Sequence, residues 1–259
     1  MKIDATDITT APPDLAVVVP VRNEADNILP LIEEIHAALE GRCRFEVVYV
    51  DDGSDDSTPR LLSEAQGRYP RLRVVRHRSG CGQSQAIATG VKHAHAPLIA
   101  TLDGDGQNDP ADLPRLLDML DSLPPADRRL TMIAGHRATR RDTWLRRLSS
   151  RVANRVRAAL LGDDTPDSGC GLKLFGRDAF LDMPRFNHMH RFLPALMLRL
   201  GGRVVSVEVN HRPRERGVSK YGLWNRLWVG IVDLFGVMWL QRRASVPVLD
   251  ENAPALRQE

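Results

Sequence analysis

Residues 98–110 read L-I-A-T-L-D-G-D-G-Q-N-D-P. The run Leu98 to Leu102 is short and apolar, the pattern of a buried strand. It breaks into Asp103-Gly104-Asp105-Gly106-Gln107. Two carboxylates one residue apart, at the end of a buried strand, repel each other, and burial raises that cost. A divalent cation relieves both problems. Oxygen-only ligands suit a hard ion such as Mg2+ or Mn2+, with Gln107 as a neutral third oxygen. Gly104 and Gly106 let a ligand approach the backbone closely. A hard ion that keeps open positions usually takes substrate phosphates. On its own the stretch also reads as a turn in which aspartate is turn former and helix cap.

Upstream, the same rhythm repeats. Leu15 to Val19 is a β-branched run, expected as a central parallel strand that Pro20 ends. Asn23-Glu24-Ala25-Asp26-Asn27 supplies caps before an amphipathic helix over Ile28 to Leu39. Phe45 to Val50 and Leu72 to Val75 read as further strands. Asp51-Asp52-Gly53-Ser54 follows the first of these and precedes a helix from Pro59. Ser79-Gly80-Cys81-Gly82-Gln83-Ser84 follows the second and runs into a helix to about Gly90. Strand-helix alternation predicts an α/β fold with a mostly parallel sheet covered by helices. Ligands in such sheets sit outside the carboxyl ends of the strands. The polar loops at 20–24, 51–58, 79–84 and 103–107 are therefore expected on one rim. The glycines at 80 and 82 suit a phosphate cradle or a plain strand-to-helix turn, since they lack both the P-loop ending and the dinucleotide spacing.

Bulk properties set limits. The chain has 259 residues, 42% hydrophobic and 27% charged, as for a folded protein of one α/β domain or two small ones. Net charge is +3, with an isoelectric point near 9.0. Cys43, Cys81 and Cys170 are odd in number and show no metal spacing, which points to a reducing compartment. The first ten residues lack the apolar core of a signal peptide, and no apolar run reaches the ~20 residues of a spanning helix.

Past residue 130 the composition shifts. Leu130 to Ala134 reads as a strand, and Arg137 to Arg157 holds eight arginines against one acid, Asp142. That is a solvated basic helix face or a site for an anionic partner. Nucleic acid is one such partner, though the interleaved aromatics of a single-strand binder are absent; anionic lipid or a phosphate headgroup fits as well. Residues 167–175 are a Gly-rich turn into a strand, Phe192 to Leu200 a helix, and Val204 to Val209 a last strand. The basic stretch 211–221 is a diphosphate clamp or a surface loop. Residues 223–240 carry three of the four tryptophans at helical spacing, in a core helix or an interfacial one.

Six motifs in order give a resemblance. V-V-V-P-V-R-N-E-A-D-N-I (17–28), V-D-D-G-S-D-D-S-T (50–58), G-C-G-Q-S-Q-A-I-A-T-G (80–90), D-G-D-G-Q-N-D-P (103–110), S-G-C-G-L-K (168–173) and R-G-V-S-K-Y-G (216–222) together resemble the family 2 glycosyltransferases of GT-A fold. The branch they are most similar to is the polyprenyl-phosphate glycosyltransferases, which include dolichol-phosphate mannose synthase. The match covers roughly residues 15 to 230.

The resemblance implies a metal-dependent, inverting transfer of a sugar from a UDP- or GDP-sugar to a polyprenyl phosphate, undecaprenyl or dolichyl, serving cell-envelope glycans or lipid A modification. It implies Asp103, Asp105 and Gln107 on Mg2+ or Mn2+. It places Pro20, Arg22, Glu24, Asp51, Asp52, Gly82, Gln83, Asp103, Gly104 and Asp105 on the nucleotide sugar, with Arg214, Ser219 and Lys220 closing over the diphosphate. Arg137, Arg146 and Ser150 would hold the acceptor phosphate, and Asp103, Asp105 and Arg137 would carry catalysis. Asp167, the nearest spare acid, is given no base role. Expected organisation is a leader at 1–14, a catalytic domain at 15–222, a Trp-rich interfacial helix at 223–243 and a disordered tail at 244–259. Expected partners are the donor, the lipid phosphate and a membrane surface, at the cytoplasmic face, peripheral or monotopic, with no nucleic acid; a homo-oligomer or a membrane partner protein stays open. Two departures stand out: Arg22 where many relatives carry an aromatic, and no pair of C-terminal spans. A family 2 enzyme with a non-lipid glycan acceptor, and a catalytically silent nucleotide-sugar-binding scaffold, are the competing readings.

Overall fold

The computed structural model describes residues 11–137, 157–213 and 223–246, with side chains of the last segment from residue 230 onward. Arg146, Ser150, Arg214, Ser219 and Lys220 lie outside the described residues, as do residues 1–10 and 247–259.

Strand β1 (Leu15–Val21) is the centre of the molecule. Its alternating side chains enter two different cores. Val17 and Val19 pack with Ile28, Leu31, Ile32 and Ile35 of helix α1 (Ile28–Leu39). Ala16 and Val18 pack with Ala86, Ile87 and Val91 of helix α3 (Gln83–His93), on the opposite face. A strand covered on both sides must be apolar throughout, which is why L-A-V-V-V shows no polar alternation. Each fully buried valine is worth about 1.5–3 kcal/mol of transfer free energy. Helix α3 comes close enough that a Cβ on Gly90 would meet Val18 Cγ1 at 2.4 Å.

Around β1 the sheet is β3-β2-β1-β4-β6-β5-β7, with β2 Phe45–Asp51, β3 Leu72–Arg76, β4 Leu98–Thr101, β5 Thr131–Arg137, β6 Lys173–Gly176 and β7 Arg203–Val209. β6 is antiparallel to both β4 and β5; the other pairings are parallel. The mostly parallel α/β expectation therefore holds, and the lone reversed strand delivers the 167–172 turn to the same rim as the ends of β1, β2 and β4. Helix α2 (Thr58–Arg68) and helix α4 (Leu113–Asp121), an addition to the elements read from the sequence pattern, share the α1 side. Short helices α5 (Pro125–Arg128) and α6 (Arg177–Leu181) follow, then α7 (Leu193–Arg199). Asp14, inside the span read as a leader, is tied down: its carboxylate accepts from Arg44 Nε at 3.0 Å and Nη2 at 2.6 Å.

Helix α8 (Leu223–Arg242) packs against the protein on one side and is exposed on the other. Val237 is buried, and Leu234 and Met238 pack with it on the α7 side. Gln241 Nε2 donates to the Leu161 and Ala195 carbonyls at 2.9 and 3.2 Å. Ile231, Val232, Phe235 and Trp239 face outward, with Val232 67% and Trp239 58% exposed. Among the described residues no helix is long and apolar enough to cross a membrane.

Candidate active site

The loops after β1, β2, β3 and β4 meet, as the parallel pattern requires. The first two are zipped together. Asn23, in the left-handed region at φ 53°, donates Nδ2–H to Asp55 at 2.6 Å and accepts the Asp55 N–H at 3.0 Å. Its own N–H bonds Ser54 Oγ at 2.9 Å, and the Glu24 N–H bonds Thr58 Oγ1 at 3.0 Å. Glu24 Oε2 in turn accepts from Asn27 at 2.8 Å. Arg22 lies across Gly80: a Cβ there would fall 2.3 Å from its Nη1, so the guanidinium rests directly on the loop after β3.

Asp51 and Asp52 are both buried and both engaged. Asp51 accepts the Ser54 N–H at 2.9 Å and pairs with Arg76 Nε at 3.0 Å. Asp52 accepts the backbone N–H groups of Cys81 and Gly82, each at 2.8 Å, and contacts His77 Nδ1 at 2.7 Å. Burial alone raises the Asp52 pKa, but these N–H groups and the His77 ring hold it below the usual carboxylate range.

The acid at the end of β4 is in the opposite condition. Among the described residues the Asp103 carboxylate accepts one hydrogen bond, from Gln83 Nε2 to Oδ1 at 2.7 Å, and its N–H is held by Asn108 Oδ1 at 3.1 Å. Burial, and then the nearby charge of Asp105, push its pKa up to about 6 against the pull of Lys173 and Arg137. Gly104 and Gly171 make the site possible. A Cβ on the first would strike Val21 Cγ1 at 2.3 Å, and one on the second would sit 2.2 Å from Asp103 Oδ2. Asp105 Oδ1 accepts the Gln107 N–H at 3.1 Å. So Asp103 and Asp105 form a coupled, under-compensated acidic pair on the rim beside the 79–84 turn, with oxygen donors only. That set fits a hard divalent cation.

A second trio, Asp52, His77 and Cys81, has ligand-type atoms all within 4.8 Å of one another. Its mixed O, N and S donors suit a softer ion. Its Asp52 and His77 are also already bonded to each other, so the oxygen pair at 103 and 105 is the better match for Mg2+ or Mn2+.

Two cavities flank the acidic pair. One of about 260 Å3 is lined by Pro20, Gln83, Asp103, Gly171, Lys173 and His190. Lys173 is 3% exposed, donates to the Ser168 carbonyl at 3.2 Å and to that of Cys170, and has its pKa lowered by burial. His190 Nδ1 and Ser84 Oγ share a hydrogen bond at 2.7 Å, and Ser84 Oγ accepts the His190 backbone N–H at 3.2 Å; burial, then Arg191, drop the imidazole pKa to about 3, so the ring is neutral. The other cavity, about 370 Å3, lies on the Asp105 side against Asn27, Glu34 and Arg212. Arg212 bridges Glu34 at 2.7 Å and Asp109 at 2.6 Å, and its N–H bonds the Gln107 carbonyl at 3.0 Å, fastening the chain after β7 to the acidic loop.

Arg137, at the end of β5, makes a two-point pair with Asp167: Nε to Oδ2 at 2.5 Å and Nη2 to Oδ1 at 2.9 Å. Its charge still reaches Asp103. Sequence reading passed over His77 and His190, took Arg212 only as part of the basic stretch 211–221, and gave Asn108 no role of its own within the 103–110 motif. Lys173 was the one such residue with a visible signal, a lysine opening an otherwise apolar strand.

A parallel sheet with a reversed sixth strand and an aspartate pair at the end of β4 defines a GT-A glycosyltransferase. The chain belongs to glycosyl transferase family 2, whose profile matches residues 16–183, and is a glycosyltransferase. It is 36% identical over 239 residues to dodecaprenyl-phosphate galacturonate synthase of Rhizobium johnstonii, covering 90% of this chain and 69% of that protein. It is 35% identical over 212 residues to undecaprenyl-phosphate 4-deoxy-4-formamido-L-arabinose transferase of Edwardsiella ictaluri, covering 81% of this chain and 63% of the relative, less than two thirds of its length. Among solved structures, a mannosyltransferase from Pyrobaculum calidifontis in complex with GDP-Man and Mn2+ aligns at TM-score 0.65 with 21% identity, over 92% of this chain and 67% of that one. Glucosyl-3-phosphoglycerate synthase from Mycobacterium tuberculosis with Mn2+, UDP and phosphoglyceric acid aligns at 0.63 with 19% identity, over 91% and 80%. At those identities the likeness is one of fold.

Proposed function

We propose that the chain transfers a sugar, with inversion, from a nucleoside-diphosphate sugar to a polyprenyl phosphate at the cytoplasmic face of a membrane. The observation that carries the reading is Asp103 beside Asp105 at the end of β4: burial and the charge of Asp105 raise the Asp103 pKa, as expected of negative charge left for a cation. Both sequence relatives named above are polyprenyl-phosphate enzymes, which supports the acceptor class.

The roles follow from the residues. Asp103 and Asp105, with Gln107, would hold Mg2+ or Mn2+, which when bound neutralises the diphosphate leaving group. Gln83 steadies Asp103 from the side. Pro20, Arg22, Glu24 and the 51–54 loop form the floor for the nucleoside, and Arg214, Ser219 and Lys220 are assigned to the diphosphate. Arg137, Arg146 and Ser150 are assigned to the acceptor phosphate. A phosphate monoester is already an anionic nucleophile, so positioning outweighs proton abstraction. Asp167 serves that end as the partner that fixes the Arg137 fork, not as a base. The outward face of α8, with Trp239 and the flanking Arg242 and Arg243, supports peripheral attachment, alongside the basic stretch 137–157.

The test is incubation with radiolabelled UDP- and GDP-sugars, Mg2+ or Mn2+, and undecaprenyl phosphate, followed by organic extraction. Label in the organic phase that depends on both lipid phosphate and metal is the expected result. Label recovered only in a water-soluble glycan would replace this reading with the non-lipid acceptor.

A further inference from the structure

His77 follows β3 on the rim, outside every motif quoted above. Its backbone N–H continues the sheet, donating to the Asp51 carbonyl at 2.9 Å. Its side chain is 15% exposed and that of Asp52 6%. The ring spans two elements. Nδ1 meets Asp52 Oδ1 at 2.7 Å, and Nε2 meets Thr89 Oγ1, in the second turn of α3, at 2.9 Å. A carboxylate has no proton to give, so Nδ1 carries the hydrogen toward Asp52, and Nε2 shares a hydrogen bond with the Thr89 hydroxyl.

The two oxygens of Asp52 in turn hold the N–H groups of Cys81 and Gly82. Gly82 sits at φ +90°, a backbone angle L side chains rarely adopt, and caps α3. The next residue, Gln83, donates to Asp103 Oδ1 at 2.7 Å, and the one after, Ser84, bonds His190. One line of contacts therefore runs Thr89, His77, Asp52, Gly82, Gln83, Asp103. It begins and re-enters on the same helix, which makes it a closed brace and not a dangling chain.

We infer that His77 is a positioning residue for the donor site: through Asp52 it fixes the Gly82 turn, and through that turn the Gln83 amide that orients the Asp103 carboxylate. This rests on the functional reading above as far as the donor is concerned. Partners one layer behind a metal ligand typically change metal affinity or activity by about 10–100-fold when removed. Here one further residue intervenes, so the lower end applies.

His77→Leu is expected to raise the donor KM roughly tenfold, to weaken Mn2+ binding in the presence of UDP or GDP by a similar factor, and to leave the acceptor KM within about twofold. His77→Asn can still present an N–H to Asp52 and should recover most of the loss. Thr89→Val, which removes only the far anchor, should show an intermediate effect and guards against a His77→Leu protein that does not fold. Donor KM and Mn2+ affinity unchanged in both His77→Leu and Thr89→Val would overturn the inference, and so would His77→Asn as impaired as His77→Leu. The Gln83 side-chain amide resonance of ligand-free protein reads the coupling with no substrate at all. Its move toward the position of a solvated amide in His77→Leu is expected, and its constancy refutes the brace. If the wild type transfers no sugar, the functional reading falls, and this resonance still decides the role of His77.

Discussion

Two pairs of aspartates sit on the same rim, at the ends of the strands that flank β1, and they live in opposite electrostatic conditions. At the end of β2, Asp51 and Asp52 are wrapped by backbone N–H groups, Arg76 and His77, and Asp52 titrates below the ordinary carboxylate range. At the end of β4, Asp103 has one amide donor and an acidic neighbour, and its pKa climbs to about 6. Asp51 and Asp52 are buried while Asp103 and Asp105 are half-buried, so loss of solvent contact alone does not explain why Asp52 is held low and Asp103 is raised. What separates them is how many donors the fold supplies. A carboxylate rich in donors suits a structural brace; one left short of them suits a cation.

The largest expected effect breaks this contrast at its open end. Asp103→Asn should lower kcat for sugar transfer on the order of a thousandfold, since it removes an anionic ligand from the cation proposed to neutralise the leaving diphosphate. Its stability without metal should not fall. An acid whose folded pKa is raised costs stability above about pH 6, and that cost disappears as pH drops below the unfolded value. Asparagine removes the cost, so urea unfolding at pH 7.5 should find the variant as stable as the wild type or more so. A clear loss of stability would place Asp103 with Asp52 as a brace.

Asp52→Asn is the mirror case. Its amide turns a donor toward the Gly82 N–H, and about 1–3 kcal/mol of stability should go with the unsatisfied group. The wild-type contribution is present above the unfolded pKa and is lost as pH falls through the depressed folded one, so the gap between the two proteins should close in acid. An Asp52→Asn protein with unchanged unfolding at pH 7.5 would erase the contrast.

The smallest effect comes from the facing wall. His190 shares the desolvation of Asp103 and, like Asp52, has a fixed partner, Ser84. Its folded pKa of about 3 lies below the unfolded 6.5, so its neutral form supports the fold fully above pH 6.5 and progressively less below. Wild type should lose about 1 kcal/mol more than His190→Gln on going from pH 7.5 to 5.5. Parallel stability curves for the two would remove His190 from the comparison.

The sequence made the 103–105 end of this contrast legible as an acidic cluster and hid the other. D-G-D-G-Q at the end of an apolar run announces an acidic ligand set, because burial and repulsion are local facts. V-D-D-G-S announces acids too, but nothing in it says that they are spoken for: the partners of Asp52 are 25 to 30 residues away in His77, Cys81 and Gly82. Arg137 shows the same limit. Its position suggested a phosphate ligand, while its pairing with Asp167 across 30 residues became visible only when β5 and the turn before β6 came together.

By itself, the sequence determined the alternation of apolar runs and amphipathic helices, the rim that must follow from parallel strands, and the family. These rest on periodicity and on short spacings, which the chain carries regardless of how it packs. The tertiary structure alone decided which carboxylates are satisfied, that β6 runs backwards between β4 and β5, and that α8 hides Val237 while presenting Phe235 and Trp239. Those outcomes depend on distances between residues far apart in the chain, and charge, desolvation and hydrogen bonding act through space.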